Sequence, residues 1–187
     1  MAVKRAATLL ALVVAIAFAR AARADEVGPR NAISLHPFSL TSHGLAVQYE
    51  RYLAPRHWSL ALGLGVRSSS RSDYSSWVTT AGIEPRYWLW GPDRSAHLGS
   101  DAMVGPYMSL RFDAAFMSMT DTRRDRWIGG NEGYSLVGSF GWRFAIGHLE
   151  ITPSLGVGAR ADLDVTGRLA PWMRPVYRFD WTVGWMF

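Results

Sequence analysis

The final stretch of the chain, PVYRFDWTVGWMF over residues 175–187, presents two different surfaces on one segment. Reading back from the end, every second residue is large and apolar: Phe187, Trp185, Val183, Trp181, Phe179 and Tyr177. The interleaved set, Met186, Gly184, Thr182, Asp180, Arg178 and Val176, is smaller and holds both charges. Successive side chains of an extended strand point to opposite faces. A strand of this kind must separate two environments, one greasy and one able to satisfy charge.

The same alternation recurs seven more times. Strands are predicted at about 31–40, 44–53, 58–67, 77–90, 101–116, 133–146, 149–160 and 175–187. The cleanest is WSLALGLGVR, where Trp58, Leu60, Leu62, Leu64 and Val66 oppose Ser59, Ala61, Gly63, Gly65 and Arg67. In the fifth, Val104, Met108, Leu110, Phe112 and Phe116 share a face opposite Tyr107, Ser109, Arg111 and Asp113. Pro37 is expected to shift the phase of the first strand through a bulge.

The charges identify the faces. Glu50, Arg67, Glu84, Arg86, Arg111, Asp113, Arg143, Glu150, Arg160, Arg178 and Asp180 all oppose the apolar set. A soluble barrel needs the reverse, polar outside and greasy inside, and an eight-stranded barrel has no room for this many indoles and phenyl rings. A sandwich core built from the same aromatics would leave too much charge on the opposite faces. The expected fold is therefore all-β: one eight-stranded antiparallel up-and-down transmembrane β-barrel with a charged lumen. An even strand number and segments near the ~10 residues of a tilted crossing agree with this.

Connections are expected to alternate in length. Short turns at 54–57 (APRH), 91–97 and Gly147-His148 fall at one end; longer loops at 68–76, 117–131 and 161–174 fall at the other, with a short one around Thr41-Ser42-His43. Outer-membrane barrels have this asymmetry, short turns periplasmic and long loops external. Trp58, Tyr87, Phe144, Trp185 and Phe187 would form the periplasmic aromatic girdle, and Trp77, Phe116, Tyr134 and Tyr177 the outer one.

Residues 1–24 read as a signal peptide: Lys4 and Arg5, an apolar run over 6–19, then Ala22-Arg23-Ala24. The competing reading, a membrane anchor, is opposed by the shortness of the run against the ~20 residues a spanning helix needs. Residues 25–187 would then be the barrel domain, exported to the bacterial outer membrane. Of the chain's 20 basic residues, four leave with the signal, so 16 arginines face 15 acids. That near-neutral balance gives no reason to expect a nucleic-acid partner. The absence of cysteine excludes disulfides, thiolate metal sites and a lipidated cysteine anchor.

These patterns over residues 31–187 resemble the small eight-stranded outer-membrane barrels of Gram-negative bacteria, the OmpA-type and OmpX-type group. NAISLHPFSL, GLAVQYERYL and EGYSLVGSFGWRF…LEITPSLGVGAR are more narrowly similar to a family of uncharacterised small bacterial barrels. The resemblance implies an assembly signal in Trp181, Val183, Trp185 and Phe187, read by the barrel-assembly machinery. It implies little about activity.

Six arginines and five acids on the inner face suit a packed ion-pair lumen, since buried charges must be paired; a narrow pore is the alternative. A lipid A- or phospholipid-modifying hydrolase would need Ser, His and an acid converging at one rim. Ser34, His36, Ser39, Ser42 and His43 are its candidates, while His57, His97 and His148 read as turn residues. No nucleophile motif, cofactor signature or metal spacing is present in the sequence, so no enzyme and no cofactor are expected. Arg123, Arg124, Arg126 and Trp127 form a surface cluster, diluted by Asp121 and Asp125, that could contact lipopolysaccharide phosphates. The expected role is structural or interactional, in a monomer whose partners are outer-membrane lipids and lipopolysaccharide.

Overall fold

The computed structural model describes residues 31–37, 44–53, 57–70, 72–90, 104–163 and 173–187. The signal-like segment 1–24, together with Ser39, Ser42, His43 and His97, lies outside the described residues. Eight strands form: β1 (Asn31–Leu35), β2 (Gly44–Leu53), β3 (Trp58–Ser70), β4 (Tyr74–Trp88), β5 (Gly105–Asp121), β6 (Arg126–Ile146), β7 (Leu149–Leu163) and β8 (Arg174–Met186). Each pairs antiparallel with its sequence neighbours, and β1 closes on β8 to complete an up-and-down barrel. The fold class read from the alternation is the one observed.

Register follows the two-residue period. Leu62 pairs with Tyr49 and Ile83, Met108 with Phe140, and Leu155 with Phe179, so apolar rows continue around the outside. Leu62, Leu110, Leu136, Phe140 and Phe179 are all exposed, whereas Glu50, Glu84, Arg86, Arg143 and Glu150 are buried. The molecule is inside-out relative to a soluble barrel. Tyr134 and Phe144 stand ten residues apart on the outward face of β6. At ~3.3 Å per residue and a usual tilt near 40°, they are ~25 Å apart along the axis, the height of a lipid-facing band.

Both ends of the described chain meet at one end of the barrel. Asn31 and Phe187 exchange backbone hydrogen bonds of 2.9 and 2.8 Å there. The turn histidines sit at this terminal end too. His57 Nδ1 lies 2.8 Å from the Trp88 carbonyl and its ring stacks on Tyr87; His148 Nδ1 lies 2.9 Å from the Met186 carbonyl and its ring stacks on Trp185. They are polar caps on an aromatic girdle.

Three expectations are corrected. The loops placed at 68–76 and 117–131 are mostly strand. β3 extends to Ser70 and β4 begins at Tyr74, and β5 and β6 run to a turn at 122–125. Backbone pairing between Ser118 and Gly130, and between Thr120 and Trp127, continues the ladder through polar sequence, with a bulge between Met119 and Thr120. Side-chain polarity marks where an apolar belt stops, not where hydrogen bonding stops. The connection-length asymmetry also fails, since β4 and β5 are joined at the terminal end by the long segment 89–104. At the opposite end the asymmetry takes the form of overhanging strands. Finally, Val104 is buried, not outward: Gly105 has φ 112°, which breaks the phase just before β5 begins.

Candidate functional site in the lumen

Inward residues of six strands carry the charged side chains to the barrel axis, where they join end to end. His36, just past β1, sets Nδ1 3.0 Å from Asp180. Asp180 pairs with Arg178 at 2.6 Å, Arg178 with Asp113 at 3.2 Å, and Asp113 with Arg111 at 2.7 Å. Arg111 reaches Glu84 at 3.4 Å; Arg86 bridges Glu84 at 2.9 Å and Glu50 at 2.7 Å. Arg143 then contacts Glu50 and, at 2.9 Å, Glu150. Four guanidiniums therefore alternate with five carboxylates, and His36 ends the series.

Neutral donors complete the most buried stretch. Ser59 donates to Glu50, Ser34 donates to Glu150, and Trp88 Nε1 donates to Ser59 Oγ at 2.9 Å. Arg143 donates to the Tyr52 hydroxyl and lies 4.7 Å over the Trp88 ring, while Arg86 lies 4.8 Å over Tyr107. Trp88 and Tyr107 pack at 5.0 Å and are fully buried. Carboxylates, guanidinium planes and indole faces together satisfy most of the groups that would otherwise cost several kcal/mol each, while Gln48 Oε1 and Glu150 Oε2 are buried without a hydrogen bond among the described residues.

Solvent reaches the lumen from one side. Arg143 and Glu150 are wholly buried, Arg178 is 26% exposed, and Arg160, farther along, is 48% exposed. The terminal end is thus a sealed floor. Above it, a void of about 10 Å³ lies among Gln48, Glu84 and Arg86. A cavity of about 400 Å³ follows beside Arg111 and Arg178, and one of about 720 Å³ opens at the mouth.

Of the inner-face charges, nine belong to this continuous series: Glu50, Glu84, Arg86, Arg111, Asp113, Arg143, Glu150, Arg178 and Asp180. Arg160 pairs instead with Asp162 at 2.7 Å, and Arg67 lines the mouth. The sequence offers His36 only as a hydrolase candidate; its spacing of two from Ser34 places both on the inner face, the signal that joins it to the charge series. Ser34 spends its hydroxyl on Glu150, and His36 faces Asp180. Among the described residues, no group of three His, Asp or Glu side chains has a metal-holding arrangement.

The arginine cluster lies on the overhanging β5–β6 hairpin. Asp121 accepts from the backbone N–H groups of Arg123 and Arg124, and Arg123 pairs with Asp73 of the neighbouring turn. Thr122 adds two bonds to that turn, through its N–H to Asp73 O and its hydroxyl to Ser72 O. Arg124, Arg126 and Trp127 remain exposed. The terminal row Trp181, Val183 and Trp185 faces outward on β8, with Phe187 following the strand.

No family model matches the chain, and no curated protein matches it. A solved structure similar to it is the crystal structure of a major outer membrane protein from Thermus thermophilus. The two are 15% identical with a TM-score of 0.40, over 84% of this chain and 99% of that one.

Proposed function

We propose that this chain is a bacterial outer-membrane barrel of structural and surface-interaction role, with a lumen closed by ion pairs rather than open as a pore. One observation carries the reading: a continuous apolar belt surrounds a barrel whose interior is filled with paired charge. Water would have to hydrate that belt, whereas lipid matches it. In this orientation the terminal end is periplasmic, the signal-like segment 1–24 directs export, and Trp181, Val183, Trp185 and Phe187 present the row read during assembly.

A closed floor favours packing over conduction. Trp88, Tyr107, Met186 and Ala32 are buried at the periplasmic end, and the adjacent void has room for about one water. The β5–β6 overhang offers Arg124, Arg126 and Trp127 to lipopolysaccharide phosphates above the membrane, with Arg123 holding the hairpin against Asp73. Of the hydrolase candidates, Ser34 and His36 are engaged in the lumen with Glu150 and Asp180, and Ser39, Ser42 and His43 lie outside the described residues.

Membrane fractionation combined with heat-modifiable gel mobility tests the reading. The protein should sediment with outer membranes and migrate faster unheated than boiled. Recovery in the soluble periplasmic fraction without a mobility shift would overturn it.

A further inference from the structure

We propose that the mouth of the barrel is a binding site for a small organic oxyanion, a phosphate or carboxylate carried on an apolar body. The cavity of about 720 Å³ is within the size range of small-molecule pockets, and its blind floor makes it a receptacle, not a passage. The inference rests on the closed barrel and its lumen, whichever membrane surrounds it.

Among the described residues, basic side chains outnumber acidic ones around this mouth. Arg160 and Arg174 are direct cross-strand partners on the inner faces of β7 and β8, and Arg67 lines the same cavity from β3, three strands from β8 around the ring. Like charges directly opposite on a sheet repel. Asp162 answers only Arg160, at 2.7 Å. Glu132 also lines the cavity, but it is the partner of outward-facing Phe116 and its carboxylate takes a hydrogen bond from the Tyr134 hydroxyl at 3.1 Å. Deeper in, Asp113 and Asp180 are already shared among Arg111, Arg178 and His36. Arg67 and Arg174 have no ion pair among the described residues.

The walls beside the arginines are small and largely apolar at Ala46, Gly65, Val78, Ala115 and Met117, with Thr80 and Asn131 adding polar atoms. Bulkier residues would have filled this space, as Val137 and Tyr107 do lower down. Guanidiniums beside an apolar recess select a ligand with an anionic head and a compact greasy body. The planar donor fork of arginine fits phosphate or carboxylate oxygens in pairs.

Phenyl phosphate, inorganic phosphate and benzyl alcohol titrated into the full barrel, refolded in detergent and followed calorimetrically, test the site. Phenyl phosphate should bind saturably, and more tightly than either of the others. The double variant Arg67→Gln/Arg174→Gln should weaken it at least about tenfold while keeping wild-type heat-modifiable mobility. Thr80→Leu, which fills the recess and leaves both arginines, should weaken phenyl phosphate and spare inorganic phosphate. Absence of saturable phenyl phosphate binding, equal affinity for benzyl alcohol, or unchanged affinity in the folded double variant would each overturn the proposal.

Discussion

Tyr107 lies across Gly141, its direct cross-strand partner, so closely that a Cβ on that glycine would come within 2.4 Å of the phenol. The ring is fixed on its other sides by Trp88 and by the Arg86 guanidinium. Gly141→Ala must therefore displace the tyrosine from the floor. A loss of about 1–3 kcal/mol is expected, as for other overpacked interiors, read as a lower urea midpoint in lipid vesicles. Adding Tyr107→Leu to Gly141→Ala should cost less than the two single changes together; strict additivity would contradict the overlap.

Glu50 is the hub of the buried charge, accepting from Arg86, Arg143 and Ser59. Glu50→Gln keeps the shape and removes the charge that two guanidiniums share. Stability should fall by about 3 kcal/mol or more. Arg160→Gln, at the hydrated mouth, should change it by under about 1 kcal/mol. Equal effects in chemical denaturation would mean the lumen is wet throughout.

Leu136 and Trp127 are both exposed on the outward face of β6, at different heights. Within lipid, Leu136→Arg should destabilise by about 2–4 kcal/mol. Trp127→Arg, on the overhang, should move the unfolding midpoint by less than about 0.5 kcal/mol. If both behave alike in vesicles, the belt does not end where Tyr134 and Phe116 place it.

Phe187 contributes twice, through its ring and through the two backbone bonds it exchanges with Asn31. Phe187→Ala keeps those bonds, so the refolded barrel should retain near-normal stability while assembly in cells declines. Deleting Phe187 should lower both. A deletion that assembles normally in cells would remove the assembly role.

Arg123 and Asp73 form an exposed pair at 2.5 Å that ties two turns together. Asp73→Asn should shift global stability by no more than about 1 kcal/mol. Trypsin cleavage after Arg124 and Arg126 should nonetheless quicken, because the hairpin tip loses a tether. An unchanged digestion rate would show that the two Thr122 bonds suffice.

Strand number, closure and the orientation of the faces were legible because alternation is a local property that register preserves. Leu62 opposing Gly63, or Phe140 opposing Ser139, already shows which side is which. The ends of β3–β6 were not legible. Polar stretches such as Ser68–Ser70 pair as readily as apolar ones once a neighbouring strand continues, and backbone hydrogen bonds do not depend on side-chain polarity. The inner charges could be placed on a face but not connected. That Arg86 reaches Glu50, while Arg67 reaches no carboxylate among the described residues, depends on stagger between strands. His36 was obscured by Pro37, which made the phase of the first strand uncertain.

The ionic series draws a charge from every strand except β1 and β3, and those two supply Ser34 and Ser59 to its carboxylates. An unclosed sheet of this sequence would keep the pairs made within one strand, Glu84–Arg86, Arg111–Asp113 and Arg178–Asp180, and the neighbouring-strand pair Arg143–Glu150. It would lack the contacts that span the lumen, Glu50–Arg143 and Asp113–Arg178, and the partners Ser34 and His36 from the first strand and its end. Closure therefore turns short local ion pairs into one continuous series.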